Sequence, residues 1–434
     1  MSTSGRRPGG ALLIVADGLA ESSHGVTTLS RSRTPALDRL ARHGDLYRLD
    51  PQGGVREEEV TSERGVGALL GLGEGPTLSR GGLLSLLADF SPVRERAVPL
   101  SWFYVATPVR YRRGGTRDED LLCSYVNDLE WESALWTTLL QRLPSVRDFE
   151  LLPVFEQGLP AKGASGRRIL RMVAGFSAVA SEAWAPGLAP RTGRRRSEAL
   201  ALTGLIEWFD REVDLIKKAQ ALSPPEGEEW GLWLWGGGPP PKYSVPTSFD
   251  RALVGQAPLI RALGRVAGYV DLPLSRATGE TDTDLREKLS QVTAALASGA
   301  RRVVLHVEGF DMASHRKDPE AKRIFLERFD REVLEPLVES LLSGDLAVLG
   351  ITSDHRSSPR TGNHEAGAVP ALRVSGDSLG TPGRAGARMT EEAAELAPLI
   401  SLDQWNDRLF SEGAPLGDLP KTTLDERMTC RELS

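Results

Sequence analysis

The chain has 434 residues, of which 40% are hydrophobic and 26% are charged. This length allows one large or two medium domains with a substantial buried core. The formal net charge is -6 at pH 7, and no run of Lys and Arg is interleaved with aromatic residues, which argues against a nucleic-acid partner.

The N-terminal residues and the cysteines exclude further classes of protein. The first apolar run, Ala11–Ala16, is too short for the apolar region of a signal peptide or for a membrane span. Cys123 and Cys430 lack the C-x-x-C spacing of zinc and redox sites, and a disulfide framework is not expected. We therefore expect a globular cytoplasmic protein with no membrane partner.

Three apolar runs predict buried parallel strands, and each is followed by residues that can bind a metal. In chain order they are Ala11–Ala16 before Asp17, Arg302–Val307 before Asp311 and His315, and Leu346–Thr352 before Asp354 and His355. Ligands bind at the carboxyl ends of strands in open α/β sheets, so these distant residues are expected to meet at one site.

Helical patterns between these strands predict an α/β/α sandwich. They cover Pro35–His43, Asp284–Ala297 and the amphipathic run Pro319–Leu342. Residues 108–279 interrupt the scheme and are predicted to form an inserted α+β cap domain. The core then comprises residues 1–107 and 280–400, and residues 401–434 form a peripheral helix and loop.

Histidine and carboxylate residues are concentrated near the end of the chain. Four of the six histidines lie between His306 and His364. A single Asp or His is as often a solvated or capping group, but their repetition after strands indicates a metal site. Imidazole and carboxylate ligands together favour Zn²⁺ or Mn²⁺ over Mg²⁺ or Ca²⁺. His306 lies within a strand pattern, where a core histidine satisfied by one hydrogen bond is a better interpretation than a metal ligand. Its best functional role would be to support the ligands.

Ser62 precedes an apolar helical run, Val66–Leu72, so it is expected at the beginning of a helix. Two interpretations remain open. The Ser62 hydroxyl can cap the helix, or it can accept a phosphoryl group that the helix N-terminus and a bound metal stabilise.

Together these motifs resemble those of the archaeal-type cofactor-independent phosphoglycerate mutases of the alkaline phosphatase superfamily. The similar segments follow the family's order along most of the chain. They are Val15–Gly18, Thr34–Leu40, Ser62–Leu72, Arg80-Gly81, Ala277–Gly279 with Asp282–Asp284 and Lys288, His306–His315, Asp354-His355, and Asn363-His364 followed by Val369-Pro370.

The resemblance implies an alkaline-phosphatase-like α/β/α sandwich and a centre with two divalent ions, Mn²⁺ or Zn²⁺. One ion would be bound by Asp17, Ser62, Asp354 and His355, and the other by Asp311, His315 and His364. Ser62 would take a phosphoryl group from a small phosphorylated substrate and form a phosphoserine. The substrate would be bound by Arg80, Arg112 and Arg113, and Arg64, which is not part of the family pattern, would supply a new cation next to Ser62.

Several positions depart from the family pattern. Where the family has a cation, this chain has Trp102, Trp235 and Glu308, and Val66 replaces a polar residue. An aromatic ring cannot replace a bidentate guanidinium group. The motifs therefore indicate metal-assisted phosphoryl transfer more strongly than they indicate phosphoglycerate as the substrate.

Three functions remain open at this point. The first is a phosphoglycerate-mutase-like phosphotransferase. The second is a metal-dependent hydrolase of phosphate, phosphonate or sulfate esters, with an aromatic pocket formed by Trp102, Tyr104 and Trp235. The third is a degenerate, non-catalytic member of the superfamily. The sequence does not define the oligomeric state.

Overall fold

The computed structural model describes residues 9–23, 25–73, 78–88, 100–114, 116, 120–125, 129–140, 149–155, 169–177, 194–198, 203–220, 226–243 and 245–410. Its strands are β1 (Gly10–Ala16), β2 (Asp45–Leu49), β3 (Leu100–Arg112), β4 (Leu121–Tyr125), β5 (Phe149–Phe155), β6 (Ile169–Ser177), β7 (Glu228–Gly238), β8 (Arg251–Val254), β9 (Val270–Asp271), β10 (Arg302–Val307), β11 (Leu346–Thr352), β12 (Arg356–Ser357), β13 (His364–Glu365), β14 (Val369–Ser375) and β15 (Leu399–Ile400).

The α-helices of the same residues alternate with these strands. They are α1 (Thr28–Arg31), α2 (Pro35–His43), α3 (Ser62–Leu69), α4 (Arg80–Ser85), α5 (Leu129–Leu140), α6 (Thr203–Gln220), α7 (Pro258–Val266), α8 (Leu285–Ala297), α9 (Gly309–His315), α10 (Pro319–Phe329), α11 (Glu335–Ser343), α12 (Gly376–Leu379), α13 (Glu391–Glu395) and α14 (Leu402–Phe410). A π-helical segment, Asp330–Leu334, joins α10 to α11.

The main sheet has eight strands in the order β15-β2-β14-β11-β1-β10-β8-β9. Strand β1 lies at its centre and pairs in parallel with both β10 and β11. Strand β14 is antiparallel to β11 and β2. The carboxyl ends of β11, β1 and β10 therefore lie side by side at one edge of the sheet.

Both faces of this sheet are covered by helices. On one face Leu12 and Ile14 of β1 pack in a cluster with residues of α2, α8, α10 and α11. On the other face Leu13 and Val15 pack with residues of α3, α4, α7 and α14. Successive side chains of a strand point to opposite faces, so a continuous apolar run is required where both faces are buried.

A second sheet contains five antiparallel strands. The long strand β3 pairs with β6 and β4 along one side and with β7 along the other, and β6 also pairs with β5. One face of this sheet packs with residues of α5 and α6. The other face contacts Leu84 of α4.

The structure confirms the α/β/α sandwich and most of the predicted elements. β10, β11 and α2 have the predicted bounds, and α8 begins one residue late because Asp284 is its N-cap. The predicted cap range, 108–279, overlaps the main sheet at β8 and β9, and the second sheet begins at Leu100. The division of the chain into domains remains a prediction.

The predicted C-terminal helix is α14, and residues 411–434 lie outside the described part of the chain. Trp405 and Leu409 of this helix are fully buried, and both approach Gly350 of β11. The helix thus belongs to the layer that covers the main sheet. Among the described helices, none is long and apolar enough to cross a lipid bilayer.

Replacing Asp330 with alanine is expected to destabilise the fold. Its carboxylate accepts hydrogen bonds from the backbone N–H groups of Ala36 (3.1 Å) and Leu37 (2.8 Å), where Thr34 makes no side-chain capping bond. Asp330→Ala leaves these donors unsatisfied and should lower the free energy of unfolding by about 1–3 kcal/mol. Urea denaturation measures this loss.

The matched control is Glu339→Ala, because Glu339 is exposed and its ion-pair distance to Arg39 is 3.9 Å. A change within about 0.5 kcal/mol is expected for this surface position. Equal stabilities of the two variants would show that Asp330 does not cap α2.

Candidate active site

Three carboxylates meet where the central strands of the main sheet end. Asp17 follows β1, and its backbone N–H donates to the Val307 carbonyl of β10 at 3.0 Å. Asp311 lies in the first turn of α9, directly after β10, and Asp354 follows β11. All three side chains are buried. The parallel register of β11, β1 and β10 thus brings Asp17 together with Asp311, 294 positions later in the sequence, and with Asp354, 337 positions later.

The first group of possible ligands consists of Asp17, Asp354 and His355. One ligand atom from each lies within 4.8 Å of the other two. His355 Nε2 is 3.4 Å from Asp17 Oδ1 and 3.2 Å from Asp354 Oδ2. This group can surround one cation.

The second group consists of Asp311, His315 and His364. Asp311 and His315 are four residues apart on α9, and Asp311 Oδ2 lies 3.0 Å from His315 Nε2. His364, from β13, has its Nε2 atom 3.3 Å from His315 Nε2 and 3.5 Å from Asp311 Oδ1. One ligand atom of His355 also lies within 4.8 Å of ligand atoms of Asp311 and His364, so His355 lies between the two groups.

Ser62 lies beside this cluster at the beginning of α3. Its Oγ atom is 3.3 Å from His355 Nε2. Thr61 is the N-cap, and its side-chain oxygen accepts from the Arg64 N–H at 3.3 Å. The interpretation of Ser62 as the capping residue is therefore wrong, and its hydroxyl faces the metal-ligand candidates instead.

Gln52 and Ser357 support the site, although the sequence did not single them out. The Gln52 amide donates to the carbonyls of Thr61 and Asp354, both at 2.9 Å, and thereby connects the beginning of α3 to the end of β11. Ser357 Oγ donates to Asp311 Oδ1 at 2.5 Å. Gln52 lies in a turn and Ser357 in a two-residue strand, and neither context carries a recognisable signal.

The pKa values of Asp17 and Asp311 shift in opposite directions. Burial and the charges of Asp354 and Asp311 raise the pKa of Asp17 well above its usual range. Burial opposes ionisation of Asp311 too, but hydrogen bonds from His315 and His364 outweigh it and hold the pKa of Asp311 well below its usual range. A positive charge is thus needed beside Asp17 if all three carboxylates are to be ionised.

The pKa values of His315 and His306 also shift in opposite directions. Burial by itself lowers the pKa of His315, but the hydrogen bond with Asp311 outweighs it and raises this pKa to about 9. Burial lowers the pKa of His306 to about 3, so its imidazole is neutral. His306 Nε2 lies 3.2 Å from Asp17 Oδ2. This contact agrees with the predicted supporting position of His306 behind a ligand.

The donor set fits divalent cations. Within the described part of the chain, no hydrogen-bond donor satisfies Asp17 Oδ1 or Asp354 Oδ2, although both atoms are buried. Buried carboxylate oxygens of this kind are normally paired or bound to a metal. Three carboxylates and three imidazoles also match the ligand preference of Zn²⁺ and Mn²⁺.

Two of the four predicted substrate-binding arginines lie near this centre. Arg64 is on α3 two residues after Ser62 and is partly exposed. Arg80 begins α4 and forms a bidentate ion pair with Glu63, the residue that follows Ser62. Arg80 therefore lies next to the helix N-terminus that carries the serine.

The structure does not bring Arg112 and Arg113 to the centre. Val105 of β3 lies opposite Trp235, which contacts Arg80. Arg112 is seven residues farther along β3, or about 23 Å at the usual rise of a strand. Arg113 Nε is 3.5 Å from Glu229 Oε2 at that distant end.

The predicted aromatic pocket of Trp102, Tyr104 and Trp235 is wrong. Trp102 and Tyr104 pack with residues of α5 and α6 on the outer face of the second sheet. Trp235 packs with Phe103 and Val105 on the opposite face, which α4 covers. Alternation along a strand places these aromatic side chains on different faces.

Glu308, another position that departs from the family pattern, adds negative charge at the edge of the centre. Its carboxylate lies against the backbone at Gly279, where a Cβ atom would collide with it. The buried Lys288 interacts electrostatically with Glu308 and donates to the His306 carbonyl at 3.1 Å. Burial lowers the pKa of Lys288 to about 8, and the charge of Glu308 opposes this shift.

Sequence comparisons agree with a metal centre. A family model described as the Metalloenzyme superfamily matches residues 249–403. This range contains β8, β10 and β11 and five of the seven candidate metal ligands. The match includes Asp311 and Asp354 but not Asp17 or Ser62.

Longer similarities extend over most of the chain. It is 28% identical over 411 residues to the 2,3-bisphosphoglycerate-independent phosphoglycerate mutase of Methanopyrus kandleri, covering 86% of this chain and 89% of that one. It is 27% identical over 397 residues to 2,3-bisphosphoglycerate-independent phosphoglycerate mutase 1 of Archaeoglobus fulgidus, covering 84% and 89%.

A solved structure shares the fold. The PH0037 protein of Pyrococcus horikoshii superposes with a TM-score of 0.62 at 17% identity, covering 95% of this chain and 100% of that one. These relatives confirm the resemblance to the cofactor-independent phosphoglycerate mutases and the assignment of the chain to the enzymes.

Replacing Gly18 with alanine is expected to damage the centre. Gly18 has φ 63, and a Cβ atom there would lie 2.7 Å from Asp311 Oδ1 and 2.8 Å from Ser357 Oγ. Gly18→Ala should displace the Asp311 carboxylate and lower the affinity for added Mn²⁺ or Zn²⁺ by about tenfold or more, as loss of a ligand's support does. Isothermal titration with each metal measures this change.

Gly386→Ala is the matched control, because Gly386 has φ 75 and open space around its Cα atom. It has the same backbone strain without the collision. If both variants bind metal as the unmodified protein does, Gly18 has no role in shaping the site.

Proposed function

We propose that this protein is a two-metal phosphoryl-transfer enzyme of the phosphoglycerate-mutase type, with Ser62 as the nucleophile. The observation that carries the proposal is the position of the Ser62 hydroxyl. It lies at a helix N-terminus, 3.3 Å from His355 Nε2, and a ligand atom of His355 lies within 4.8 Å of those of Asp17 and Asp354 and also of those of Asp311 and His364. A capping role for this hydroxyl is already filled by Thr61.

The site residues would form two sets of ligands, one for each cation. Asp17, Asp354, His355 and Ser62 would hold one cation, and Asp311, His315 and His364 the other. The cations, Mn²⁺ or Zn²⁺, would neutralise charge on the transferring oxygens and lower the pKa of the serine hydroxyl. Gln52 and Ser357 keep the ligands in place through the hydrogen bonds described above.

The proposed chemistry proceeds through a phosphoserine. The Ser62 Oγ–P bond forms while the P–O ester bond of the substrate breaks, and the released alcohol oxygen takes up the proton that serine loses. Backbone N–H groups at the N-terminus of α3 stabilise the phosphoryl oxygens. In a mutase the phosphoryl group returns to another hydroxyl of the same substrate, and in a hydrolase it passes to water.

Hydrolysis of a different phosphate ester is the second candidate, and the charges around the site favour it. Arg80 is already paired with Glu63, and the carboxylate of Glu308 is added at the edge of the centre. A substrate with a second acidic group, such as phosphoglycerate, is bound less favourably under these conditions. The close spacing of the candidate ligand residues argues against a degenerate, non-catalytic protein.

Substitution of Ser62 tests the proposal. Ser62→Ala should reduce turnover by at least about 10³-fold, because a nucleophile has no substitute in a covalent mechanism. Activity is measured with Mn²⁺ or Zn²⁺ on 3-phosphoglycerate in a coupled assay and on p-nitrophenyl phosphate. The first substrate distinguishes a mutase from a hydrolase, and mass spectrometry should detect one phosphoryl group on Ser62.

The control variant is Thr61→Asn, which removes the neighbouring hydroxyl but retains an N-cap acceptor. It should keep most of the activity. Full activity of Ser62→Ala, or loss of activity only in Thr61→Asn, would refute the assignment of the nucleophile.

Metal removal is expected to abolish activity reversibly. Dialysis against a chelator should leave a protein with no turnover and a lower melting temperature, because a ligand that binds only the native state stabilises it. Addition of Mn²⁺ or Zn²⁺ should restore both, with two equivalents bound by elemental analysis. A protein that turns over substrate equally well after complete metal removal would contradict the two-metal proposal.

A further inference from the structure

Arg80 is held beside the proposed nucleophile from one side by Glu63. The Glu63 carboxylate accepts hydrogen bonds from Nε and Nη2 of Arg80, and the exposed fractions of the two side chains are 27% for Arg80 and 10% for Glu63. A bidentate pair fixes the plane of the guanidinium group. Arginine carries five N–H donors and Glu63 engages two of them, so three remain available to a ligand.

Trp235 holds the same guanidinium group through its ring. The Arg80 Cζ atom lies 4.8 Å from the centroid of the Trp235 ring, which is the geometry of a cation–π contact. The indole is itself fixed, because its Nε1–H donates to Thr107 Oγ1 of β3 at 2.9 Å. The second sheet therefore contacts Arg80 through a side chain with a defined orientation.

Glycines allow this close approach between α4 and the second sheet. A Cβ atom at Gly81 would collide with the Phe103 carbonyl of β3. Gly236, next to Trp235, has φ 61, and a Cβ atom there would lie 3.0 Å from the Cβ atom of Arg80. The position of Arg80 thus depends on the backbone of β3 and β7 as well as on Glu63.

Arg80 also lies within the electrostatic field of the metal-ligand carboxylates. Burial opposes its charge, but Glu63, Asp17 and Asp311 outweigh this effect and raise the pKa of Arg80. The ion pair with Glu63, the residue after Ser62, independently places the guanidinium group beside the N-terminus of α3.

We propose that Trp235 is a positioning residue. Its indole ring orients the guanidinium group of Arg80, so that the N–H groups not bound by Glu63 contact a phosphoryl oxygen at Ser62. This inference rests on the proposed function, since it assumes that phosphate binds at the metal centre. It adds a residue of the second sheet that acts on the phosphate through Arg80 without touching the phosphate itself.

Binding of inorganic phosphate to the metal-loaded protein tests the inference, with calorimetry as the readout. Trp235→Leu should weaken phosphate binding by about five- to tenfold, the size expected for losing a partly buried cation–π contact. Trp235→Phe keeps a ring under the guanidinium group and should stay within about twofold of the unmodified protein. Equal loss in both variants, or no loss in Trp235→Leu, would overturn the proposal.

Trp230→Leu is the matched control. Trp230 lies on the same strand, and the Arg110 Cζ atom is 5.8 Å from its ring centroid, so the variant removes a similar contact far from Arg80. Phosphate binding should be unchanged. If Trp230→Leu weakens binding as much as Trp235→Leu does, the effect is a general one of the second sheet and the proposal fails.

A double-mutant cycle with Arg80→Met shows whether Trp235 acts through Arg80. In the Arg80→Met background, Trp235→Leu should cause no further loss of phosphate affinity. A further loss of the same size would mean that Trp235 acts independently, which would also overturn the proposal.

Metal content and Ser62-dependent turnover are measured on every variant. Metal content should be the same in every variant, which separates this inference from the proposed function. A metal-loaded protein that depends on Ser62 but shows no effect of Trp235 would refute only the inference. Absence of phosphate binding in the unmodified, metal-loaded protein would refute both.

Discussion

Three buried carboxylates at the ends of adjacent parallel strands impose the constraint on which the site depends. Asp354, Asp17 and Asp311 follow β11, β1 and β10, and the sheet places them side by side. Burial, together with the charges of the neighbouring carboxylates, opposes the ionisation of Asp17 and raises its pKa. In the proposed function, divalent cations would relieve this repulsion and the histidines would complete the ligand set.

The neighbouring elements keep the carboxylates close without adding more positive charge. Gln52 connects the beginning of α3 to the Asp354 backbone, and Ser357 holds Asp311. Gly18 and Gly65 permit this density, since a side chain at either position would collide with the ligands or their backbone. Hydrogen bonds and small residues therefore define where a cation could lie. The cation would supply the positive charge that balances the carboxylates.

The second sheet contacts the candidate site through α4, which carries Arg80. Its outer face is occupied by α5 and α6, where Trp102 and Tyr104 are packed as core residues. Its inner face meets α4, and there Trp235 and the Glu63 carboxylate hold Arg80 between them. In the proposed function, substrate recognition is therefore concentrated beside α3, where the charges of Glu63 and Glu308 do not favour a strongly anionic substrate.

The sequence by itself determined the central strands, the main helices and the ligand types. Buried parallel strands require continuous apolar runs, and the fixed spacing of Asp311 and His315 on one helical turn is a local property. Only the tertiary structure decided that Thr61, rather than Ser62, caps α3, and that Gln52 and Ser357 support the ligands. It also decided that Arg112 lies far along β3 and that Trp102 faces away from Trp235. These outcomes depend on strand pairing, on strand length and on which face of a sheet is covered, and such long-range contacts leave no periodic signal in the chain.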